Sequence, residues 1–473
     1  MPASSIAKSD MYPAVLSRNG ALSVRSVAGA ILAALVVASL TTLVVAPAPS
    51  YDPWSWLTWG REVAGGTLHT AEGPAFKPLP VGVCALLSPF GVAAPWLWVA
   101  IARTGALLAL WLSFRLSRRL AGGSVVAGAV AAAGVALCGA FLELSSAGVI
   151  TGLLLALALG GVEAQRAGRP RVAFACAVAC GLLQVETWPF LVLLAAWAWR
   201  RGTADRRALA LAAVAVPVLW FVPEWLGSGD LFRSAERARI PNPGQPALAD
   251  VPALASLVQA ARSLLWPLWL GVAALGVVGW RSERASRAAL VPAGVGLAWI
   301  AIVAAMAQFG GFSGEPRYAL PGMALIAISG GVGLVTAGHP SARRPMILAA
   351  IGLVAIAAGG PIERLDRLPD AQRYAWELST DLRDAVAAAG GRDAVLACGT
   401  PYVGPLRGPM FAYALDVPKP SVEPDLPPAS PGMAFRSRRT KGMEVEPTAS
   451  PGFETIARTE RWEVTRSCRV RLP

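Results

Sequence analysis

Long apolar runs recur along most of this chain and limit what it can fold into. A helix needs about 20 apolar residues to cross the hydrocarbon core of a bilayer, and runs near that length recur up to residue 361. Only 15% of the 473 residues are charged, against about 25% in a typical soluble protein. The runs are continuous rather than alternating, which excludes a transmembrane β-barrel. The sequence therefore predicts an all-α polytopic membrane protein.

About 11 transmembrane helices are predicted from these runs, after a polar N-terminal tail over residues 1–26. The apolar segment 79–91 is too short to cross, and we interpret it as a segment that dips into the membrane. The predicted spans fall at about 27–46, 93–113, 124–141, 146–162, two short helices within 172–200, 207–226, 263–281, 289–308, 319–337 and 346–361. Residues 27–361 thus form the predicted membrane domain.

The positive charge of the chain predicts its orientation. The formal net charge is +13, yet residues 361–473 are nearly neutral, with 16 Lys+Arg and 15 Asp+Glu. The excess lies in short clusters between the predicted spans, such as "RLSRR" and "QRAGRPR". Lys and Arg in short loops mark the cytoplasmic side, so we interpret the charge as a topology signal and not as a nucleic-acid surface. The N-terminus is predicted to be cytoplasmic and the C-terminal region extracytoplasmic.

Residues 362–473 are predicted to form a small α+β domain outside the membrane. Apolar residues at steps of four, Tyr374, Leu378, Leu382 and Val386, predict one buried helix face. Five strand-like runs follow, "AVLACG", "FAYALDV", "MAFRSR", "FETIAR" and "WEVTRSC". In an oxidising compartment Cys398 and Cys468 would pair as a disulfide; the alternative is two free thiols.

Residues 51–80, "YDPWSWLTWGREVAGGTLHTAEGPAFKPLP", concentrate ionisable groups between two apolar stretches. Charged side chains at membrane depth are costly and are functional candidates by default. In the predicted topology, further ionisable residues lie on the same outer face. The set comprises Asp52, Glu62, His69, Lys77, Glu143, Glu186, Glu224, Asp230, Arg233, Arg237, Arg239, Glu315 and Arg317. This pattern predicts one extracytoplasmic cavity lined by carboxylates and cations.

Such a cavity suits the transfer of a group from a lipid phosphate. A carboxylate just outside the membrane can act as a general base toward an acceptor hydroxyl. Nearby Lys and Arg side chains can hold a phosphate as it departs. The membrane would hold the apolar tail of such a donor, and the cavity would hold its head group.

The chain resembles the membrane-embedded glycosyltransferases of the GT-C fold, which take a sugar from a polyprenyl-phosphate donor. The resemblance covers about residues 47–340 and is strongest to actinobacterial, protein-mannosyltransferase-like members with a "YDxWxWLxWGRE…GPxxKPLP" first loop. It identifies Asp52 with the family's acidic residue after the first helix and Lys77–Pro78 with its "KP". Arg317–Tyr318 matches an "RY" that opens a late span, and Arg103 in "ARTGALL" matches a second-span pattern.

Two features depart from the family pattern. A "RPExW" turn is expected, and "QVETW" retains Glu186 and Trp188 but has Gln184 where the family has arginine. The adjacent acidic pair common in protein mannosyltransferases is absent from the first loop. The missing arginine weakens a phosphate site at this turn.

The resemblance implies an inverting glycosyltransferase in the cell membrane. Asp52 would deprotonate the acceptor hydroxyl, Lys77 and Arg317 would steady the donor phosphate, and Glu186 would position a substrate. Other implied substrate-binding residues are Glu62, Arg103 and Tyr318. Implied partners are the polyprenyl-phosphate donor, membrane lipid and a cell-envelope glycan or protein acceptor, without nucleic acid. A divalent metal is possible but not required, because cations alone can hold a monophosphate.

Structural alternatives exist for several candidates, and Glu186 can be a buried turn residue whose hydrogen bonds are satisfied within the protein. Asp52 can cap a helix, Lys77 can snorkel, Glu62 can pair with Arg61 or Lys77, and Arg317 can pair with Glu315. Trp54, Trp56 and Trp59 fit an interfacial belt better than a sugar platform. Two other functions remain open: a transporter or flippase of lipid-linked precursors, and a non-catalytic envelope scaffold in which Asp52 is dispensable.

Overall fold

The computed structural model describes residues 23–202, 205–280, 284–336 and 343–468. Most of the predicted N-terminal tail, 1–26, lies outside these ranges, as do parts of the basic segments at 281–287 and 339–345. Helices dominate the described residues, and the strands all follow residue 432. The fold class predicted from the sequence is confirmed: a mostly helical protein with several apolar helices and a small C-terminal antiparallel sheet.

The described residues form 20 α-helices, and one lies at each predicted span. They are α1 Val24–Thr41, α2 Tyr51–Ala64, α3 Pro78–Leu87, α4 Ala94–Leu120, α5 Val125–Ala136, α6 Phe141–Ser146, α7 Thr151–Arg166, α8 Pro170–Leu183, α9 Trp188–Arg201, α10 Arg206–Ser228, α11 Arg233–Ala238, α12 Pro252–Ser263, α13 Trp266–Trp280, α14 Arg284–Gly310, α15 Pro316–Thr336, α16 Arg343–Ala357, α17 Gly359–Asp366, α18 Leu368–Ala388, α19 Gly391–Ala397 and α20 Gly408–Leu415.

Five helical stretches in the described ranges are long and apolar enough to cross a membrane, or seven if each of two bent pairs is one span. Others are short; α5 and α8, for example, have 12 and 14 residues. About 20 residues are needed for a full crossing. The predicted number of about 11 spans therefore stays a prediction, although the helices themselves are present.

Helix α15 lies at the centre of the bundle, with 83% of its most apolar window buried. Glycines let the neighbouring backbones approach closely. A Cβ on Gly333 would lie 1.8 Å from the carbonyl oxygen of Gly271 in α13, and one on Gly296 in α14 would lie 2.4 Å from that of Gly322. Small residues at helix interfaces are the usual packing device in membranes. The start of α15, which carries Arg317 and Tyr318, is thereby fixed by packing.

The first loop folds into helix α2 and a return segment that leads to α3. Trp54, Trp56 and Trp59 are at most 8% exposed. The Trp56 ring lies 5.6 Å from Trp98, centroid to centroid, and the Trp59 ring lies 5.8 Å from Phe76. The expected interfacial belt is therefore wrong: these tryptophans pack inside the protein and hold α2 in place.

The segment predicted to dip into the membrane forms α3 and a following 3-10 helix, Ser88–Ala93. Gly91 interrupts the helical backbone there with φ 53° and separates α3 from the long helix α4. Ten residues of helix extend about 15 Å, half of a hydrocarbon core. Gly60 of α2 packs against α3, since a Cβ on it would lie 2.6 Å from Cys84 Cβ.

The C-terminal region contains a four-stranded antiparallel sheet in the order β2-β1-β4-β3, with strands β1 Met433–Arg438, β2 Val445–Glu446, β3 Glu454–Arg458 and β4 Glu463–Arg466. Helix α18 buries the predicted face of Tyr374, Leu378, Leu382 and Val386. The Trp462 indole donates to the Leu378 carbonyl at 2.9 Å. A disulfide joins Cys398 to Cys468.

Two strand predictions in this region are wrong. "AVLACG" lies in and just after α19, and "FAYALDV" lies largely in α20. Short apolar runs do not distinguish a buried strand from a buried helix. Pro409 in the first turn of α20 is a helix-start signal that favours the structure observed.

Helix α20 rests on α2, so the C-terminal region covers the first loop. Thr58 Oγ1 donates to the Pro409 carbonyl at 3.3 Å. The Arg61 guanidinium lies 2.9 Å from an Asp416 carboxylate oxygen and donates to the Tyr413 carbonyl at 3.0 Å. The predicted domain border between 361 and 362 falls inside α17.

Candidate functional site

Asp52 and Arg317 meet across the bundle, although 265 positions separate them in the chain. Asp52 lies in the first turn of α2, where Ser50 rather than Asp52 is the N-cap residue. Its Oδ2 accepts a hydrogen bond from Arg317 Nη1 at 3.3 Å. Their side chains are 18% and 32% exposed, respectively. The pair therefore has solvent access, as a group that reacts with a substrate requires.

Arg317 is also held by its neighbours at the start of α15. Its Nε lies 2.5 Å from Glu315 Oε2, and its Nη2 donates to the Tyr318 hydroxyl at 3.2 Å. Gln245 donates to the other Glu315 oxygen. The guanidinium is thus fixed in position and faces Asp52.

Lys77 and Glu186 extend this cluster. Lys77 is the N-cap residue of α3, and its Nζ donates to the Leu183 carbonyl at 3.2 Å. Glu186 lies in the 3-10 turn Val185–Thr187, between α8 and α9, and is 1% exposed. Burial lowers the pKa of Lys77, while the carboxylates of Glu186 and Asp52 act in the opposite direction. These mutual effects place Asp52, Lys77, Glu186 and Arg317 in one electrostatic cluster.

Burial also raises the pKa of Glu186, and the Lys77 ammonium partly offsets that rise. An isolated charge at such a place would be strongly disfavoured. The cluster therefore combines two cations, one partly exposed carboxylate and one fully buried carboxyl group. The first three can act together on a polar substrate with an anionic group.

A buried ion pair supports the loop that carries Lys77. Arg233 in α11 donates to both oxygens of Glu224 at 3.0 and 3.1 Å, and to the carbonyls of Gly73 and Pro74 at 3.1 Å each. The sequence placed both charged residues on the outer face but did not assign this role. In the sequence, the feature that could have indicated this ion pair is the spacing of nine positions between the two residues, on either side of a helix end.

Two predicted site residues lie elsewhere. Arg103 is 5% exposed and donates to the carbonyls of Val45, Ala46 and Ser146 and to the Thr41 hydroxyl. Within the described residues these contacts tie α4 to the end of α1, a structural role. The prediction that Arg103 binds substrate finds no support in this geometry.

Glu62 also has a local role. Its carboxylate accepts a hydrogen bond from the His69 backbone N–H at 2.7 Å, and the His69 ring Nδ1 lies 3.6 Å away. The expected pairing with Arg61 or Lys77 is not the observed one, since Arg61 contacts Asp416. Burial raises the pKa of Glu62. Glu62 therefore closes the first loop and does not join the contacts described for the Asp52 cluster.

Two neighbouring cavities lie at the start of α15, and Arg317 lines the smaller one. A cavity of about 450 Å³ has a mixed polar and apolar lining that includes Asn242, Gln245, Gln259, Glu315 and Arg317. A cavity of about 870 Å³ follows, with a largely apolar lining that includes Val258, Leu264, Leu265, Trp266, Trp269 and Pro361. Gln259 and Pro316 line both. A cavity with several polar side chains next to a largely apolar one suits an amphiphile with a polar head.

Across the part of the chain that is described, no group of three or more His, Cys, Asp or Glu side chains could hold a metal ion. The charge needed to stabilise an anion at the cluster is supplied by Lys77 and Arg317. A carboxylate beside two cations can act as a general base and can stabilise an anion that develops next to it.

The fold is of the GT-C type. Two solved structures show it: ArnT from Cupriavidus metallidurans bound to undecaprenyl phosphate, and the same protein in the apo state. The first has a TM-score of 0.51 and 13% identity and covers 94% of this chain and 99% of that one. The second has a TM-score of 0.50 and 15% identity and covers 93% and 98%. No protein-family model and no curated protein matches this chain.

Proposed function

We propose that this protein is a membrane glycosyltransferase that moves a sugar from a polyprenyl-phosphate donor to a hydroxyl of an extracytoplasmic cell-envelope acceptor. The observation that carries the proposal is the contact of Asp52 with Arg317, beside Lys77, at a partly exposed site in a GT-C fold. Support for the donor class comes from ArnT, whose structure with this fold was solved with undecaprenyl phosphate bound.

In the proposed reaction Asp52 is the general base. The acceptor hydroxyl oxygen attacks the anomeric carbon of the donor sugar and gives its proton to the Asp52 carboxylate. The bond between that carbon and the phosphate oxygen breaks, and its electron pair stays on the polyprenyl phosphate. A single displacement of this kind inverts the configuration at the anomeric carbon.

Lys77 and Arg317 stabilise the departing phosphate. The ion pair with Arg317 keeps Asp52 close to the cation, so the base and the leaving-group site lie side by side. Cations that are held in place before the reaction need not reorganise as negative charge develops on the phosphate. This preorganisation is the main source of electrostatic catalysis. Tyr318 keeps the guanidinium oriented through the 3.2 Å hydrogen bond.

A transfer assay in membranes that contain the full chain tests this function. Radiolabelled polyprenyl-phosphate mannose, arabinose and glucose are supplied separately, with envelope extract as acceptor and with membranes lacking the protein as control. We expect label to move to the extract from one of these donors and polyprenyl phosphate to be released in equal amount. Export of intact donor without release of polyprenyl phosphate would instead identify a transporter.

A further inference from the structure

The turn that begins at Gln184 holds three buried polar atoms without a partner. In the described part of the chain neither carboxylate oxygen of Glu186 has a hydrogen-bond partner, and nor does Nε2 of Gln184. The Glu186 backbone N–H and the Gln184 amide lie near the carboxyl and oppose the rise in its pKa that burial causes, but neither meets hydrogen-bond geometry with it. Gln184 is 5% exposed and Glu186 is 1% exposed. Buried polar groups are normally hydrogen-bonded and are costly to leave unpaired, so three in one turn suggest a site that a ligand completes.

This turn lies beside the cations of the proposed donor site. Lys77 donates to the carbonyl of Leu183, the residue immediately before Gln184. The Lys77 ammonium and the Arg317 guanidinium both lower the pKa of Glu186. Since the Asp52–Arg317 pair is partly exposed and Glu186 is not, the turn is the more deeply buried part of the cluster.

The unsatisfied groups discriminate between ligand classes. A phosphate oxygen only accepts hydrogen bonds, and its charge would be repelled by an ionised Glu186. A sugar hydroxyl both donates and accepts, so it can donate to Glu186 and accept from Gln184. The ammonium of an amino sugar could pair with Glu186 but would face Lys77 and Arg317. Hydroxyls of a neutral sugar are therefore the groups that fit.

We propose that Gln184 and Glu186 recognise neighbouring hydroxyls of a neutral donor sugar, while Lys77 and Arg317 hold the donor phosphate. This inference rests on the proposed function and adds the class of sugar. An amide supplies a hydrogen-bond donor without a charge, and this suits a hydroxyl better than a phosphate.

Binding to the full chain in lipid nanodiscs tests the inference without relying on transfer. The ligands are polyprenyl phosphate, the polyprenyl-phosphate mannose, arabinose and glucose donors, deoxy analogues of the tightest of these, and a donor carrying an amino sugar. For Glu186→Gln we expect about 10- to 100-fold weaker binding of the neutral-sugar donor and no weakening of polyprenyl phosphate binding, since the substitution removes a charge that repels phosphate. A deoxy donor that lacks the recognised hydroxyl should bind wild type more weakly and lose nothing further in the variant.

A second variant and a control guard against misfolding. Gln184→Met keeps the side-chain size and removes the donor, and we expect the same selective loss in a smaller amount, about 2- to 10-fold. Glu236→Gln, at an exposed position on α11, should change neither affinity. Thermal unfolding of each variant should match that of wild type.

The outcomes separate the two claims. Equal weakening of both ligands by Glu186→Gln, or no weakening of either, would overturn the sugar assignment alone. Tighter binding of the amino-sugar donor than of every neutral one would also overturn it. Failure of wild type to bind any of these lipids would overturn the proposed function, and the sugar assignment with it.

Discussion

Replacing Arg233 by methionine should destabilise the loop that carries Lys77. The substitution removes two hydrogen bonds to Glu224 and two to the carbonyls of Gly73 and Pro74. It leaves Glu224, which is 1% exposed, as a buried carboxylate without its counter-charge. Breaking a buried ion pair by removing one partner costs about 3–5 kcal/mol. We therefore expect a loss of that size in the free energy of opening this region.

Hydrogen exchange measured by mass spectrometry on the purified protein would locate the effect. The Thr70 amide donates to the Gly227 carbonyl at 3.0 Å, and the Phe76 amide donates to Ser234 Oγ at 2.7 Å. Both amides should exchange at least 100-fold faster in Arg233→Met, because about 3 kcal/mol corresponds to two factors of ten. Donor affinity should fall as well, since Lys77 follows directly on this segment.

Two comparisons make that result specific. Arg237→Met removes a half-buried arginine whose hydrogen bond among the described contacts goes to the nearby Ile240 carbonyl, and it should leave exchange of residues 70–76 unchanged. The double variant Glu224→Gln with Arg233→Met should recover at least about 1 kcal/mol, because no buried charge remains. Unchanged exchange in Arg233→Met, or a double variant less stable than the single one, would refute the reasoning.

Three further predictions concern stability and pH. Removing the disulfide by Cys398→Ser with Cys468→Ser should destabilise the C-terminal region by up to about 4 kcal/mol, as expected for closure of a 70-residue loop. Circular dichroism should show this as a lower unfolding temperature. Burial raises the pKa of Glu62 in the folded protein. The contribution of Glu62 to stability is therefore full at a pH below the pKa of an unfolded glutamate, and it is lost as the pH rises through the raised pKa of the folded state. Glu62→Gln should therefore unfold at an equal or higher temperature than wild type at pH 8, and a clearly lower unfolding temperature would contradict this. The pKa of Glu186 is raised, so acidification should weaken binding of the sugar donor at a higher pH than protonation of an ordinary glutamate would. A titration of donor affinity against pH should show this midpoint for wild type and no such pH dependence for Glu186→Gln.

The sequence predicted the site residues that are recognisable as charged side chains within an otherwise apolar chain. Asp52, Lys77 and Arg317 stand out because a chain with 15% charged residues places them next to predicted spans. Alternation of inner and outer loops then predicted that they meet, and the structure brings them together. Placement by topology works here because a membrane leaves few ways to arrange consecutive helices.

The sequence did not predict features that depend on specific side-chain packing. Arg103 and Arg317 are both arginines in helices. Arg103 donates hydrogen bonds to backbone carbonyls, whereas Arg317 is partly exposed. No pattern in the sequence separates these cases. Likewise α20 was predicted as a strand, because its apolar run fits either element and its packing on α2 decides between them.

The most direct test of the account measures donor binding and transfer side by side for wild type, Asp52→Asn and Glu315→Gln. Both variants remove a carboxylate that contacts Arg317, but only Asp52 is assigned as the base. We expect Asp52→Asn to bind the donor within about threefold of wild type and to transfer sugar 10²- to 10⁴-fold more slowly, the usual contribution of a general base. Glu315→Gln should retain transfer within about tenfold. Transfer by Asp52→Asn at the wild-type rate, or a loss of transfer that merely follows a loss of donor binding, would contradict the assignment of Asp52 as the catalytic base.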